Sequence, residues 1–184
     1  MNVTIQGRIL ELSIGDISAQ QVDAIVNAAN TALAGGGGVD GAIHRAGGLA
    51  IMEETQRLYR DGCPTGSAVI SGAGRLRAKY VIHAVGPFWH GGGFSEASLL
   101  ASAYETSLQL AAEHHCQSVA LPAISTGAYR YPAHEAAQVA IGTAAGFLRA
   151  LKSGSSLNVV RFVLFSAEMY AVFEQELAGL DAED

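Results

Sequence analysis

Cysteine is scarce in this 184-residue chain: Cys63 and Cys116 stand alone, outside any CxxC or Cys/His ligand pattern. That excludes a disulfide framework, and both thiols read as reduced and structural. Cations are also short, with 11 Lys plus Arg against 17 Asp plus Glu and a formal charge of −6. A broad nucleic-acid footprint needs many Lys and Arg contacts to phosphates, so nucleic acid is not an expected partner. Aromatic residues, which a single-strand binder needs for base stacking, make up only 7%. No uncharged stretch reaches the roughly 18 residues of a membrane span. The N-terminus MNVTIQGRILELSIGD lacks the basic start and long apolar run of a secretion signal. A soluble, cytoplasmic protein with no membrane partner is expected. The six histidines, at 44, 83, 90, 114, 115 and 134, form no HxxxH or Cys/His cluster, so no metal and no cofactor is expected.

Hydrophobic residues account for 49% of the chain, enough for one well-buried core over residues 1–184. Runs rich in β-branched and aromatic residues read as strands at 8–13, 24–27, 68–71, 80–84, 118–122 and 159–165. Helical patterns alternate with them, which favours a layered α/β domain. Over 95–114, Leu99, Ala103, Tyr104, Ser107, Leu108 and Ala111 recur at three- and four-residue spacing, the stripe of a helix laid on a sheet. Segments 133–151 and 168–177 read similarly. KSGSS at 152–156 is a connecting loop, no internal repeat occurs, and the acidic end 181–184 is expected to fray.

The densest signal lies at 22–48, VDAIVNAANTALAGGGGVDGAIHRAGG. An apolar strand ends in asparagines, four consecutive glycines follow at 35–38, and a helix is read as opening on Asp40. Without Cβ atoms, the amides of Gly37 and Gly38 can turn inward on an anion, joined by that of Val39 at the helix start. A diphosphate is the natural ligand for such a cradle. A second loop of this kind follows the fifth expected strand, LPAISTGAYRYP at 121–132, where Ser125, Thr126, Gly127 and Ala128 offer hydroxyls and open amides. Both loops follow strand carboxyl ends, where open α/β sheets bind ligands.

GDIS at 15–18, VDAIVNAAN at 22–30, GGGGVDGAIHRAGG at 35–48 and PAISTGAYRYP at 122–132 closely resemble macrodomains of the MacroD type. CPTGSAVISGAG at 63–74 and VIHAVGPFWHGG at 81–92 are similar to that family as well, so the resemblance spans nearly the whole chain. It implies a three-layer α/β/α sandwich around a mixed, mostly parallel sheet of about six strands. The implied ligand is ADP-ribose, lying across the strand ends. The implied activities are deacetylation of O-acetyl-ADP-ribose and removal of mono-ADP-ribose from acidic side chains of modified proteins.

The same resemblance assigns roles. Asp16 would accept a hydrogen bond from the adenine amino group beside the Ile17 amide, and Phe165 would stack on adenine. Tyr129 would pack against the distal ribose. Asn30 and Asp40, ten residues apart across the glycine loop, would face that ribose together. Asn30 would orient the ring through its amide, and Asp40 would act as base towards a water that hydrolyses a distal-ribose ester. His44, four residues after Asp40 on the same helix face, would position Asp40 or the substrate.

Each residue also has a plainer reading. Asp16 fits a turn, Asn30 a strand end, Asp40 a helix N-cap, Phe165 the core, Tyr129 a loop covering the sheet edge and His44 ordinary packing. His83 reads as a core or strand-end histidine, and Trp89 as a residue at the cleft mouth. Arg130 departs from the family, which usually carries glycine there; it introduces a cation at the cleft and a residue that resists positive φ. Two further function classes stand beside the hydrolase: a module that only binds ADP-ribose, and a nucleic-acid-binding macrodomain, disfavoured by charge. A monomer is expected.

Overall fold

In the computed structural model, which describes residues 1–181, seven strands and five α-helices alternate. The strands are β1 (Asn2–Ile5), β2 (Arg8–Ile14), β3 (Ala24–Ala28), β4 (Ala68–Gly72), β5 (Tyr80–Ala84), β6 (Ser118–Leu121) and β7 (Val159–Leu164). The helices are α1 (Gly38–Gly47), α2 (Leu49–Leu58), α3 (Glu96–Glu113), α4 (Ala133–Ala150) and α5 (Ala167–Asp181). One sheet runs in the order β1-β2-β7-β6-β3-β5-β4. Its five central strands are mutually parallel, and β1 and β4 close the edges antiparallel. Fraying beyond Asp181 falls outside the described residues.

Strand alternation sorts the layers, because successive side chains leave opposite faces. Ala24 and Val26 of β3, Ile82 and Ala84 of β5, and Val160 and Phe162 of β7 join one core with residues of α3, α4 and α5. Ile25, Val81, Ala120 and Val163 emerge on the other face, against Ile43 of α1 and Ile51 of α2. Phe162 lies between Tyr104 and Phe173, with ring centroids 5.7 and 5.3 Å away. Each such aromatic pair contributes about 0.5–1.5 kcal/mol beyond its burial.

The fold is the expected layered α/β sandwich around a mixed, mostly parallel sheet, with seven strands where about six were read. The added strand, β1, is short and polar at alternate positions, and pairs along β2 from Asn2↔Glu11 to Ile5↔Arg8. Helix α2 was also unread. It buries only Ile51 and Thr55 and leaves Leu49 exposed, too narrow a stripe to show periodicity. Gly48, at φ 84°, ends α1 and starts α2. On α3 the buried stripe begins at Leu100 instead of Leu99.

Candidate functional site

The glycine loop is shaped by Asn30 from below. Its amide nitrogen donates to Gly35 O at 2.9 Å, and its Oδ1 accepts the Ala34 amide at 3.1 Å. One amide hydrogen therefore remains for another acceptor. The loop then folds back onto α1 so closely that a Cβ on Gly41 would lie 2.7 Å from Gly36 O. A Cβ on Gly36 would lie 3.5 Å from Asp40 Oδ2 and 4.0 Å from Asn30 Nδ2. Gly36 thus sits between the two side chains that the sequence pairs, and both face the loop.

Helix α1 opens at Gly38 with Gly37 as N-cap, two residues earlier than expected. Asp40 is accordingly no N-cap: it stands in the first turn, buried. Its carboxylate still complements the positive end of the helix dipole. Around Gly37 and Gly38 an added Cβ would meet nothing within 4 Å, so no neighbouring group crowds the backbone there, and the first amides of α1 have no partner within the helix.

Asp40 Oδ1 accepts from Asn27 Nδ2 at 2.7 Å and contacts His44 Nε2 at 3.1 Å. His44 thus lies against Asp40, a contact that both of its readings allow. Asn27 Nδ2 also lies 3.2 Å from His83 Nδ1, and His83 Nε2 lies 2.9 Å from Ser71 Oγ. Asn27 and His83 are direct partners across β3 and β5, and all three polar residues are buried. The His44 and His83 rings stack with centroids 6.2 Å apart. Burial pushes the His83 imidazole down to about 4; His44 adds to the shift and Asp40 opposes it.

Behind β6, the second loop is braced by Tyr104. The phenol donates to Pro122 O and accepts the Ile124 amide, each at 2.8 Å. Ser125 follows in the left-handed region at φ 67°, its Oγ buried without a partner. Thr126 Oγ1 donates to Ala123 O at 2.8 Å, and Gly127 and Ala128 form the exposed tip. Arg130 adopts φ 61°, an arrangement that costs a non-glycine residue about 1 kcal/mol. Closure of the turn holds it there: Arg130 N donates to Gly127 O at 3.0 Å and Tyr131 N to Ser125 O at 2.9 Å.

Tyr129 does not cover the sheet edge. Its ring lies on Phe88 from the loop after β5, and its phenol is raised by burial and by the nearby Asp40 charge. Trp89 packs on Tyr131 with centroids 4.7 Å apart. The Phe88 loop is tied down by buried Glu96, whose carboxylate accepts the amides of His90, Gly92 and Phe94 at 2.8–3.1 Å. Burial alone would raise the Glu96 carboxyl, but its own amide, together with these three, holds it down at about 2.

At the far side of the same rim, Asp16 caps a short 3-10 turn at Ile17–Ala19, accepting Ser18 N at 2.8 Å and Ser18 Oγ at 2.7 Å, both on Oδ1. Ile17 is buried. Gly15 N donates to Leu164 O at 2.9 Å, which sets Asp16 beside Phe165. Phe165 is 87% exposed, so its reading as a core residue is wrong and the ring is open to a ligand. Asp16, Asn30, Ser125 and Phe165 thus follow the carboxyl ends of the parallel strands β2, β3, β6 and β7. His83 is the buried strand histidine that was expected, whereas Asn27 and Ser71 were not singled out and join it only through the register of β3, β4 and β5. Among the described residues no group of His, Cys, Asp or Glu is arranged to hold a metal ion, and no helix is long and apolar enough to cross a membrane.

Two glycine-bearing loops and a buried carboxylate thus stand at the ends of parallel strands in a layered α/β domain. A Macro domain family model matches residues 26–140, and the chain belongs to that family. A macro domain-containing protein of Caldanaerobacter subterraneus is 55% identical over 174 residues, covering 94% of this chain and 97% of the relative. A relative from Klebsiella pneumoniae named O-acetyl-ADP-ribose deacetylase is 52% identical, covering 92% and 96%. Among solved structures, the Oceanobacillus iheyensis macrodomain with ADP superimposes with a TM-score of 0.92 at 38% identity, over 100% of this chain and 97% of that one. A Trypanosoma brucei macrodomain in complex with ADP-ribose gives 0.82 at 36% identity, over 90% and 68%.

Proposed function

We propose that this protein binds ADP-ribose and hydrolyses esters on its distal ribose, deacetylating O-acetyl-ADP-ribose and releasing mono-ADP-ribose from Asp or Glu side chains. The observation that carries this reading is Asp40: a buried carboxylate with Oδ1 held by Asn27 and His44 and Oδ2 facing the glycine loop. Binding a diphosphate needs amides; a second anion beside it would only repel the ligand unless it has chemical work to do. The relative named as a deacetylase and the neighbours solved with ADP and ADP-ribose support the same ligand.

In this reading the amides of Gly37, Gly38 and Val39 cradle the diphosphate from one side. The loop Ser125, Thr126, Gly127 and Ala128 closes it from the other. Asp16 and the Ile17 amide read the adenine edge, and Phe165 stacks on its face. Tyr129 packs on the distal ribose, and the second amide hydrogen of Asn30 fixes a ribose hydroxyl. Asp40 Oδ2 takes a proton from water as the water attacks the ester; the products are ADP-ribose and the free carboxylic acid. No metal is required, because the carboxylate itself supplies the base.

The test is single-turnover hydrolysis of O-acetyl-ADP-ribose and of a glutamate-modified protein, for wild type and Asp40→Ala, with ADP-ribose affinity measured calorimetrically. Release by wild type, lost in the variant while binding persists, is the expected result. Binding by both without release from either substrate would make the protein a reader of ADP-ribose.

A further inference from the structure

The hydrogen-bond chain beneath Asp40 has a determined direction, and it begins at Ser71. A hydroxyl has one hydrogen, and Ser71 Oγ donates it to Gly72 O at 2.9 Å. Towards His83 Nε2, 2.9 Å away, Ser71 can then only accept, which puts the imidazole proton on Nε2. His83 Nδ1 is left as an acceptor. Asn27 meets it with the same amide nitrogen that meets Asp40, at 3.2 and 2.7 Å, so one amide hydrogen goes to each. The alternative amide flip would turn Asn27 Oδ1 against the Asp40 carboxylate, two acceptors at hydrogen-bond distance.

The observed flip leaves Asn27 Oδ1 buried with no partner. We infer that His83, neutral and protonated on Nε2, is a positioning residue: it fixes the Asn27 amide, which holds Asp40 Oδ1 and leaves Oδ2 for the water. The groups facing His83 are Asn27, Ser71, Asp40 and the ring of His44. Protonating His83 on Nδ1 would remove the acceptor and release the Asn27 amide, and a cation there is disfavoured by burial and by His44. The inference rests on the hydrolase reading for its kinetic consequence only.

Two measurements test it. Long-range proton–nitrogen NMR of the wild-type protein reads the tautomer without any activity: His83 protonated on Nε2 and bare on Nδ1 from pH 5 to 8 is expected, and an Nδ1–H or doubly protonated ring overturns the proposal. Separately, His83→Asn restores an acceptor near the Nδ1 position, whereas His83→Leu does not. His83→Leu is expected to lose kcat on O-acetyl-ADP-ribose by about 10- to 100-fold, the scale of a small misplacement of a reacting group. Its KM and ADP-ribose affinity are expected to stay within about twofold, and His83→Asn to recover at least half of the loss on a logarithmic scale. Equal kcat in all three proteins, or a loss of affinity that parallels kcat, overturns the positioning role. Should wild type itself fail to hydrolyse the ester, the hydrolase reading fails, and the NMR result still decides the tautomer.

Discussion

Phe88 lays its ring on that of Tyr129 with centroids 3.7 Å apart and planes inclined by 25°. The two residues belong to loops after β5 and β6, which do not pair directly, and Trp89 N donating to Tyr129 O at 2.8 Å is the main-chain tie between them. Stacking of this kind is worth about 0.5–1.5 kcal/mol, so Phe88→Ala is expected to weaken ADP-ribose binding by about 2- to 10-fold. Calorimetric titration of the variant checks this. Unchanged affinity would separate Tyr129 from the ligand.

Gly41→Ala is expected to disable the diphosphate cradle while the helix persists. The new methyl group would lie 2.7 Å from Gly36 O, a backbone atom that must move and carry the loop with it. A loss of ADP-ribose affinity of about tenfold or more is expected, equivalent to at least about 1.4 kcal/mol. Gly142→Ala on α4 is the control, since its Cβ meets nothing; it is expected to stabilise the protein by about 0.5–1 kcal/mol with no change in binding.

Glu96→Gln is expected to lower stability at neutral pH and to make the remaining stability less dependent on acid. The carboxyl lies at about 2 in the fold against an ordinary 4.5, because burial, which would raise it, is outweighed by its own amide and those of Phe94, His90 and Gly92. Its stabilising contribution is therefore complete above about pH 4.5 and disappears as pH falls towards 2. Thermal midpoints of wild type should exceed those of the variant at neutral pH and converge with them across that window. A difference that stays constant from pH 6 to pH 2 would contradict the assignment.

Tyr104→Phe removes one oxygen and with it the bonds to Pro122 O and from the Ile124 amide, which keep only their mutual contact at 3.0 Å. A cost of about 1–3 kcal/mol is expected, or about 3–10 °C in Tm for a domain of this size. Because both groups precede Ser125, ADP-ribose affinity should fall as well, measured at a temperature where the variant is fully folded.

Much of this architecture was legible in the sequence because the central strands are buried on both faces and read as apolar runs. The edge strand β1 escaped because its alternation is short and half polar. The start of α1 escaped because Gly38, although helical, carries no side chain to show periodicity. Asp40, Asn30 and the two loops were readable as local chemistry. The layer below Asp40 was not, since Asn27, Ser71 and His83 come from three strands and meet only through register. Phe165 was ambiguous for a related reason: a strand-end phenylalanine serves core or ligand equally, and only the place where β7 stops decides.

Sheet order also sets a length. Asp16 follows β2 and the Asn30–Asp40 pair follows β3, with β7 and β6 between them. Three inter-strand gaps of about 4.8 Å make roughly 14 Å along the rim. The sheet is thus a ruler whose unit is the backbone hydrogen bond. A ligand that touches both marks must carry two end groups on a linker of about that length, and a lone nucleotide monophosphate or a free pentose reaches only one.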